Sequence, residues 1–240
     1  MLQTFEEHMS KTIGIIGGMG PLSTVELMHK VIRYTPAHRD QEHLHMLVDN
    51  RPQIPDRTAA ILGTGPSPVA LLQESARTLQ RAGADFLAMA CNTAHYFYED
   101  VAASVHIPVV HMHRVLEAAL KKHFSHGEKI ALLATTGTLR AKIFQQHLPD
   151  FDFVVPDENG QEEWVMRAIY GEAGIKNVGV THENTGLLLQ AVKRLDEEKP
   201  AAWIAGCTEI EHALEKVELP SPLFLPLDLL ARELVRQALN

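Results

Sequence analysis

Two cysteines stand alone in a chain of 240 residues, at positions 91 and 207. Each follows an apolar, strand-like run and precedes a polar helix start. Phe86-Leu87-Ala88-Met89-Ala90 leads into Cys91-Asn92-Thr93, and Trp203-Ile204-Ala205-Gly206 leads into Cys207-Thr208-Glu209. In an open α/β sheet such a position is the carboxyl end of a strand, where ligands bind. The N–H groups and positive end of a following helix lower a thiol's pKa from its free value of about 8.5. Asn92, Thr93 and Thr208 add hydrogen-bonding groups beside the sulfurs. If the two segments face each other, one thiolate can take a proton from one face of a carbon while the other thiol returns one to the opposite face, and the carbon inverts. Buried cysteine often does no more than fill core space, but matched positions with polar successors fit that role poorly. A disulfide belongs to exported chains, and nothing points to export. His95, four residues after Cys91, is either a partner for its thiol or a structural histidine.

The elements that must position these residues alternate in the manner of parallel βαβ units. Strands are expected at 12–16, 45–49, 86–90, 109–111, 130–134, 153–155, 203–206 and 223–226. Helices are expected at 21–34, 68–82, 93–105, 114–124, 138–147, 160–170, 183–197, 210–216 and 227–239, with a long loop over 50–68. The chain also reads as a duplication. The run Ile13-Gly14-Ile15-Ile16-Gly17-Gly18-Met19-Gly20 is echoed by Ile130-Ala131-Leu132-Leu133-Ala134-Thr135-Thr136-Gly137, an offset of 117 (130 − 13). The two cysteine segments are offset by 116 (207 − 91), so the halves stay in register within one residue. Met19, at the first strand–helix turn, is placed to line a cleft; Thr136 is its counterpart in the second half and can donate to a carboxylate.

Bulk properties exclude several classes. A net charge of −8 opposes a nucleic-acid surface, where Lys and Arg must dominate. No apolar run approaches the roughly 20 residues of a membrane span, and the first ten residues resemble no signal peptide. They read as a frayed extension or a short surface strand. The expected setting is reducing and cytoplasmic. The 14 histidines lack zinc-finger spacing, so no metal site is expected. The Gly14–Gly20 segment departs from the dinucleotide fingerprint at Pro21 and Ser23.

Ala90-Cys91-Asn92-Thr93-Ala94-His95, Gly206-Cys207-Thr208-Glu209, Gly17-Gly18-Met19-Gly20-Pro21, Ile54-Pro55-Asp56-Arg57-Thr58 and Thr135-Thr136-Gly137-Thr138 are the motifs that carry a resemblance. Together they resemble the aspartate racemases of the aspartate/glutamate racemase superfamily, from Lys11 to the C-terminus. Glutamate racemases carry His-Tyr-Pro after the second Gly-Cys-Thr; Glu209-Ile210 stands here, which resembles the aspartate branch. The resemblance implies that Cys91 and Cys207 are an acid/base pair acting without pyridoxal phosphate, other cofactor or metal. It implies that Arg57 and Lys176 bind a dicarboxylate such as aspartate, and that the protein is a homodimer. The fold class implied is α/β, with two pseudo-symmetric domains, each a mostly parallel sheet flanked by helices around an interdomain cleft. The first domain would span 11–113 plus 219–240 and the second 114–218, with 1–10 as an extension. Two alternatives stay open: a racemase acting on glutamate or a broad range of amino acids, and a non-catalytic amino-acid-binding protein on the same scaffold.

Overall fold

The computed structural model describes residues 10–240, so the extension expected over 1–10 lies, but for its last residue, outside the described residues. Eight strands form two four-stranded sheets in which every pairing is parallel. The first runs β2-β1-β3-β4, with β1 (Ile13–Gly17), β2 (Met46–Asn50), β3 (Phe86–Met89) and β4 (Val109–Val110). The second runs β6-β5-β7-β8, with β5 (Lys129–Leu133), β6 (Asp152–Val154), β7 (Ala202–Ala205) and β8 (Leu223–Phe224). Strands β1, β3 and β7 are buried at every position, as parallel strands covered on both faces must be. Ile13 pairs with Met46 and Phe86, while Ile130 pairs with Phe153 and Ala202. The duplicated register read from the sequence is thus the duplicated register of the sheets.

The helices are α1 (Pro21–Tyr34), α2 (Arg57–Ile61), α3 (Val69–Arg81), α4 (Tyr98–Ala102), α5 (Met112–Leu120), α6 (Thr136–Arg140) and α7 (Ile143–His147). They continue with α8 (Glu158–Gly160), α9 (Arg167–Tyr170), α10 (Ile175–Val178), α11 (His182–Asp196), α12 (Thr208–Leu214) and α13 (Pro226–Leu239). Departures from expectation have local causes. The helix expected over 93–105 opens as a tight 3-10 turn, Thr93–Phe97, before α4. That over 138–147 breaks at Lys142, whose φ of 52° is left-handed. A wide π-helical stretch, Gln161–Met166, joins α8 to α9. The loop expected over 50–68 contains α2, capped by Asp56, which accepts the Ala59 N–H at 2.8 Å. Five residues are too few for hydrophobic periodicity to reveal.

Although last in the chain, α13 covers the first sheet. Leu227, Leu230, Leu234 and Val235 pack with Ile13, Ile15, Leu27, Val31 and Phe86. Leu225, before its first turn, offers no capping side chain. Instead the fully buried Glu211 of α12 accepts the N–H groups of Leu227 (2.9 Å) and Asp228 (3.0 Å). Beside it the buried Lys30 of α1 bonds Glu215 at 2.5 Å and lies 3.4 Å from Asp228. These contacts tie α1, α12 and α13 together.

Burial pushes the Glu211 carboxyl up to about 8, against the pull of its two N–H donors and Lys30. A carboxyl raised in the fold contributes stability that is complete below the ordinary 4.5 and lost as pH rises through about 8. Denaturant unfolding of wild type and Glu211→Gln should therefore diverge. Relative to the variant, wild type should lose up to about 1.4 kcal/mol per pH unit between those limits. Parallel pH profiles would show that Glu211 ionises normally in the fold.

Candidate active site

Cys91 lies just beyond the end of β3, and Cys207 sits at the N-terminus of α12; both thiols are free and buried. They line one small cavity, together with Met19, Arg57, Asn92, Thr93, Lys176 and Thr208. Thr136 alone of the expected residues is not among its lining. Its hydroxyl donates to Glu162 at 2.8 Å, and the preceding Thr135 faces the cavity instead. The counterpart Met19 reaches the cavity with a longer side chain. Glu209 and Tyr170 complete the walls. Sequence reasoning named Glu209 only as part of the motif around Cys207 and did not single out Tyr170. A carboxylate two residues after a reactive cysteine was the available signal.

The turns that carry these groups need glycine where backbones approach closely. Gly18 has a φ of 90°, and a Cβ there would come within 2.2 Å of the Arg51 carbonyl carbon. A Cβ on Gly137 would meet Thr58 Cα at 2.8 Å, where the two halves touch.

The surroundings of the two sulfurs differ. Cys207 Sγ donates to Glu209 Oε2 at 3.0 Å, and Thr208 Oγ1 donates to the same oxygen at 3.2 Å. Lys176 Nζ donates to Glu209 Oε1 at 2.6 Å and lies 5.5 Å above the Tyr170 ring. Burial raises the Glu209 carboxyl, but Lys176 and its hydrogen bonds outweigh this and hold it below the usual range. Burial and the Glu209 charge push the Cys207 thiol well up, against Lys176. Cys207 therefore rests as a protonated thiol. Near Cys91 the charge is positive. Burial opposes the Arg57 guanidinium, but Cys91 and Asp56 more than restore it.

Arg57 is held flat by carbonyls. Its Nη1 donates to Pro55 (3.1 Å) and Ile54 (3.3 Å), and its Nη2 to Met19 (3.1 Å). Its buried Nε has no hydrogen-bond partner among the described residues, and neither has Nδ2 of Asn92. Asn92 Oδ1 is engaged by His113 Nε2 at 3.3 Å, which fixes the amide. Two unspent donors thus belong to side chains that line the cavity, the condition under which a carboxylate is welcome. Tyr170 donates to Asp56 Oδ2 at 3.0 Å, and burial with Asp56 holds its phenol protonated.

His95 is structural. Its Nε2 accepts the Met112 N–H at 3.1 Å, which requires the proton on Nδ1, and Nδ1 donates to the Cys91 carbonyl at 2.9 Å. Burial lowers its pKa to about 4, so it stays neutral. Both nitrogens hold the backbone around Cys91 and neither is left for its thiol.

The chamber around the sulfurs is tight, with free volume of about 10 Å³, about one water molecule's worth. An outer chamber of about 560 Å³ shares Arg57, Lys176 and Glu209 with it. A larger cavity, about 630 Å³, lies elsewhere, against α5 and α13.

Neutralising Glu209 should release the Cys207 proton more easily. In a Cys91→Ala background, alkylation of Cys207 by iodoacetamide should reach its half-maximal rate at lower pH once Glu209→Gln is added. An unchanged or higher midpoint would mean that Glu209 does not set the state of this thiol.

Comparison with known proteins bears on the family and the fold. The model of the family described as Asp/Glu/Hydantoin racemase matches residues 16–234. The broad specificity amino-acid racemase RacX of Bacillus subtilis is 27% identical over 220 residues, covering 88% of this chain and 91% of that protein. The Picrophilus torridus aspartate racemase superposes with a TM-score of 0.82 at 26% identity, over 95% of this chain and 94% of its own. An aspartate racemase homologue from Pyrococcus horikoshii shares the fold, with a TM-score of 0.74 at 24% identity over 96% of this chain and all of its own. With a match that spans most of its length and two cysteines on one cavity, the chain belongs to the Asp/Glu/hydantoin racemase family and is an isomerase, an amino-acid racemase.

Proposed function

We propose that this racemase interconverts L- and D-aspartate by a two-base reaction between Cys91 and Cys207. The observation that carries the reading is one cavity lined by two thiols from equivalent strand ends, between two cations and two unspent donors. Cys91, next to Arg57, acts as the thiolate base and removes the Cα proton. Cys207, which keeps its proton on Glu209, delivers a proton to the opposite face. The product leaves the thiols with exchanged protonation states, ready for the reverse reaction.

The developing negative charge must be met as Cα loses its proton. Nδ2 of Asn92 and Nε of Arg57, without partners among the described residues, would bind carboxylate oxygens, and Thr93 and Thr208 line the same cavity. Lys176 offers a second cation for the side-chain carboxylate, and Glu209 an anion for the α-ammonium. A dicarboxylate entering this buried site without such partners would lose far more in desolvation than a neutral amino acid. The fit of two cations to two carboxylates favours aspartate over alanine, serine or lysine.

The division into 11–113 plus 219–240 and 114–218 is part of the same proposal, as are a homodimer and a cytoplasmic setting. Leu22, Val25 and Ile32 lie exposed on α1, a surface a second copy can cover. No helix among the described residues is long and apolar enough to cross a membrane.

The test is loss of optical rotation from enantiopure amino acids. Wild type should racemise aspartate in preference to alanine, serine and lysine. Cys91→Ala and Cys207→Ala should each abolish racemisation, and at most allow Cα–H exchange with solvent deuterium from a single enantiomer. Full activity in either variant would refute the two-base assignment. Arg57→Ala should cost on the order of 2–4 kcal/mol in kcat/KM, about 30- to 900-fold, with Arg57→Lys recovering only part. If wild type prefers glutamate or a neutral or basic amino acid, aspartate is the wrong substrate while the thiol chemistry stands.

A further inference from the structure

Behind the Cys91 wall the fold gathers histidines that are scattered in the sequence. His111 lies at the N-terminus of α5, His113 within it, and His147 ends α7. The ring centroids of His111 and His147 are 4.3 Å apart, and each is 5.6 Å from that of His113. One ring nitrogen from each of the three lies within 4.8 Å of the others. His111 and His113 are buried, yet both nitrogens of His111 and Nδ1 of His113 have no hydrogen-bond partner among the described residues. Leaving such groups buried and unpaired is costly. Leucine or phenylalanine would fill the space without that cost.

We propose that His111, His113 and His147 bind one divalent transition-metal ion of the Zn²⁺ or Co²⁺ class, at a site separate from the substrate cavity. Neutral imidazole is the form that ligates. Burial, with neighbouring histidines and Arg114, lowers all three pKa values, so the rings are ready as ligands near neutral pH. Three histidines with one open position is a common zinc arrangement, with Zn–N of about 2.0–2.1 Å. That geometry needs nitrogens about 3.4 Å apart, so the rings must draw in slightly on binding. His111 also lines the 630 Å³ cavity, which supplies a route from solvent.

The second nitrogen of His113 gives the site its support. His113 Nε2 donates to Asn92 Oδ1 at 3.3 Å, the outer-shell bond that orients a metal-binding imidazole. The same bond connects the site to the residue beside Cys91. Arg114 acts in both directions. Its charge adds to burial in keeping His111 and His147 unprotonated but repels an incoming cation, so its removal should tighten binding.

The experiment uses the full chain, free of any histidine tag, with Cys91→Ser and Cys207→Ser so that the thiols cannot take the metal. Zn²⁺ is added, the protein is desalted, and bound metal is counted. Co²⁺ is then titrated and followed by its visible absorption. The expected result is about one equivalent per chain, with nitrogen-ligated Co²⁺ bands. Binding should weaken at least tenfold in His147→Ala and in His111→Phe, and tighten in Arg114→Gln. Should His111→Phe fail to fold, His147→Ala decides, because that ring is only half-buried. Uptake well below one equivalent, or uptake that His147→Ala leaves unchanged, would overturn the proposal. The readout is metal uptake, so its outcome is independent of the substrate the enzyme prefers.

Discussion

Racemisation by two opposed groups requires two strand ends from different sheets to be held face to face, and side-chain hydroxyls do much of this holding. Thr93 Oγ1 lies 2.9 Å from Thr138 Oγ1 and 3.3 Å from Thr135 Oγ1, and Thr58 donates to Thr135 at 3.2 Å. On another side Ser23 donates to Thr208 at 2.7 Å. Each bond joins the half built on the first sheet to the half built on the second. The cysteines lie two residues before Thr93 and one before Thr208, so these hydroxyls anchor the backbone beside each sulfur. Threonine suits the task because its branched Cβ stiffens χ1 while the hydroxyl both donates and accepts.

Duplication alone would give two like thiols, but each turn of the reaction needs one acid and one base. The asymmetry comes from the residues that surround each cysteine. Asn92 and Thr93 in the first half correspond to Thr208 and Glu209 in the second. A carboxylate at 209 gives Cys207 an acceptor and raises its proton affinity, while the first half puts Arg57 beside Cys91. Lys176 keeps Glu209 ionised in a buried position that would otherwise neutralise it. The ion pair is therefore tied to the state of Cys207, since removing either partner strands a charge beside its thiol.

All eight strands were legible as short apolar runs between turn signals, most plainly β1, β3 and β7, which are buried at every position, and the offset near 117 gave the correspondence of the two halves in advance. Cys91 and Cys207 were legible for the same reason. Less legible was whatever depends on sequence-distant contacts. The swing of Thr136 toward Glu162 needs the π-helical stretch from a different segment. Glu209's partner, Lys176, lies 33 residues away. The histidine cluster draws His111 and His113 from one turn and His147 from another helix, so spacing could not announce it. Helix breaks at Thr93–Phe97 and Lys142 were hidden because residues on both sides keep an apolar period while the backbone departs from it.

The tightness of the inner chamber has a consequence for how substrate enters. About 10 Å³ cannot admit an amino acid, so the walls must part before the thiols can meet Cα. Where they part is governed by the type of contact that crosses between the halves. The hydroxyl bonds near the sulfurs can each be exchanged for bonds to water at a net cost of about 0.5–1.5 kcal/mol. The buried Lys30–Glu215 pair also crosses between the halves, but Lys30 keeps Glu26 at 3.6 Å and Asp228 at 3.4 Å within its own half. The threonine and serine pins are the contacts beside the sulfurs that water can replace one at a time. In the two-base reading proposed above, a substrate carboxylate would pair with Arg57 Nε and Asn92 Nδ2, two donors without a partner among the described residues. That pairing would offset part of the cost of parting the walls.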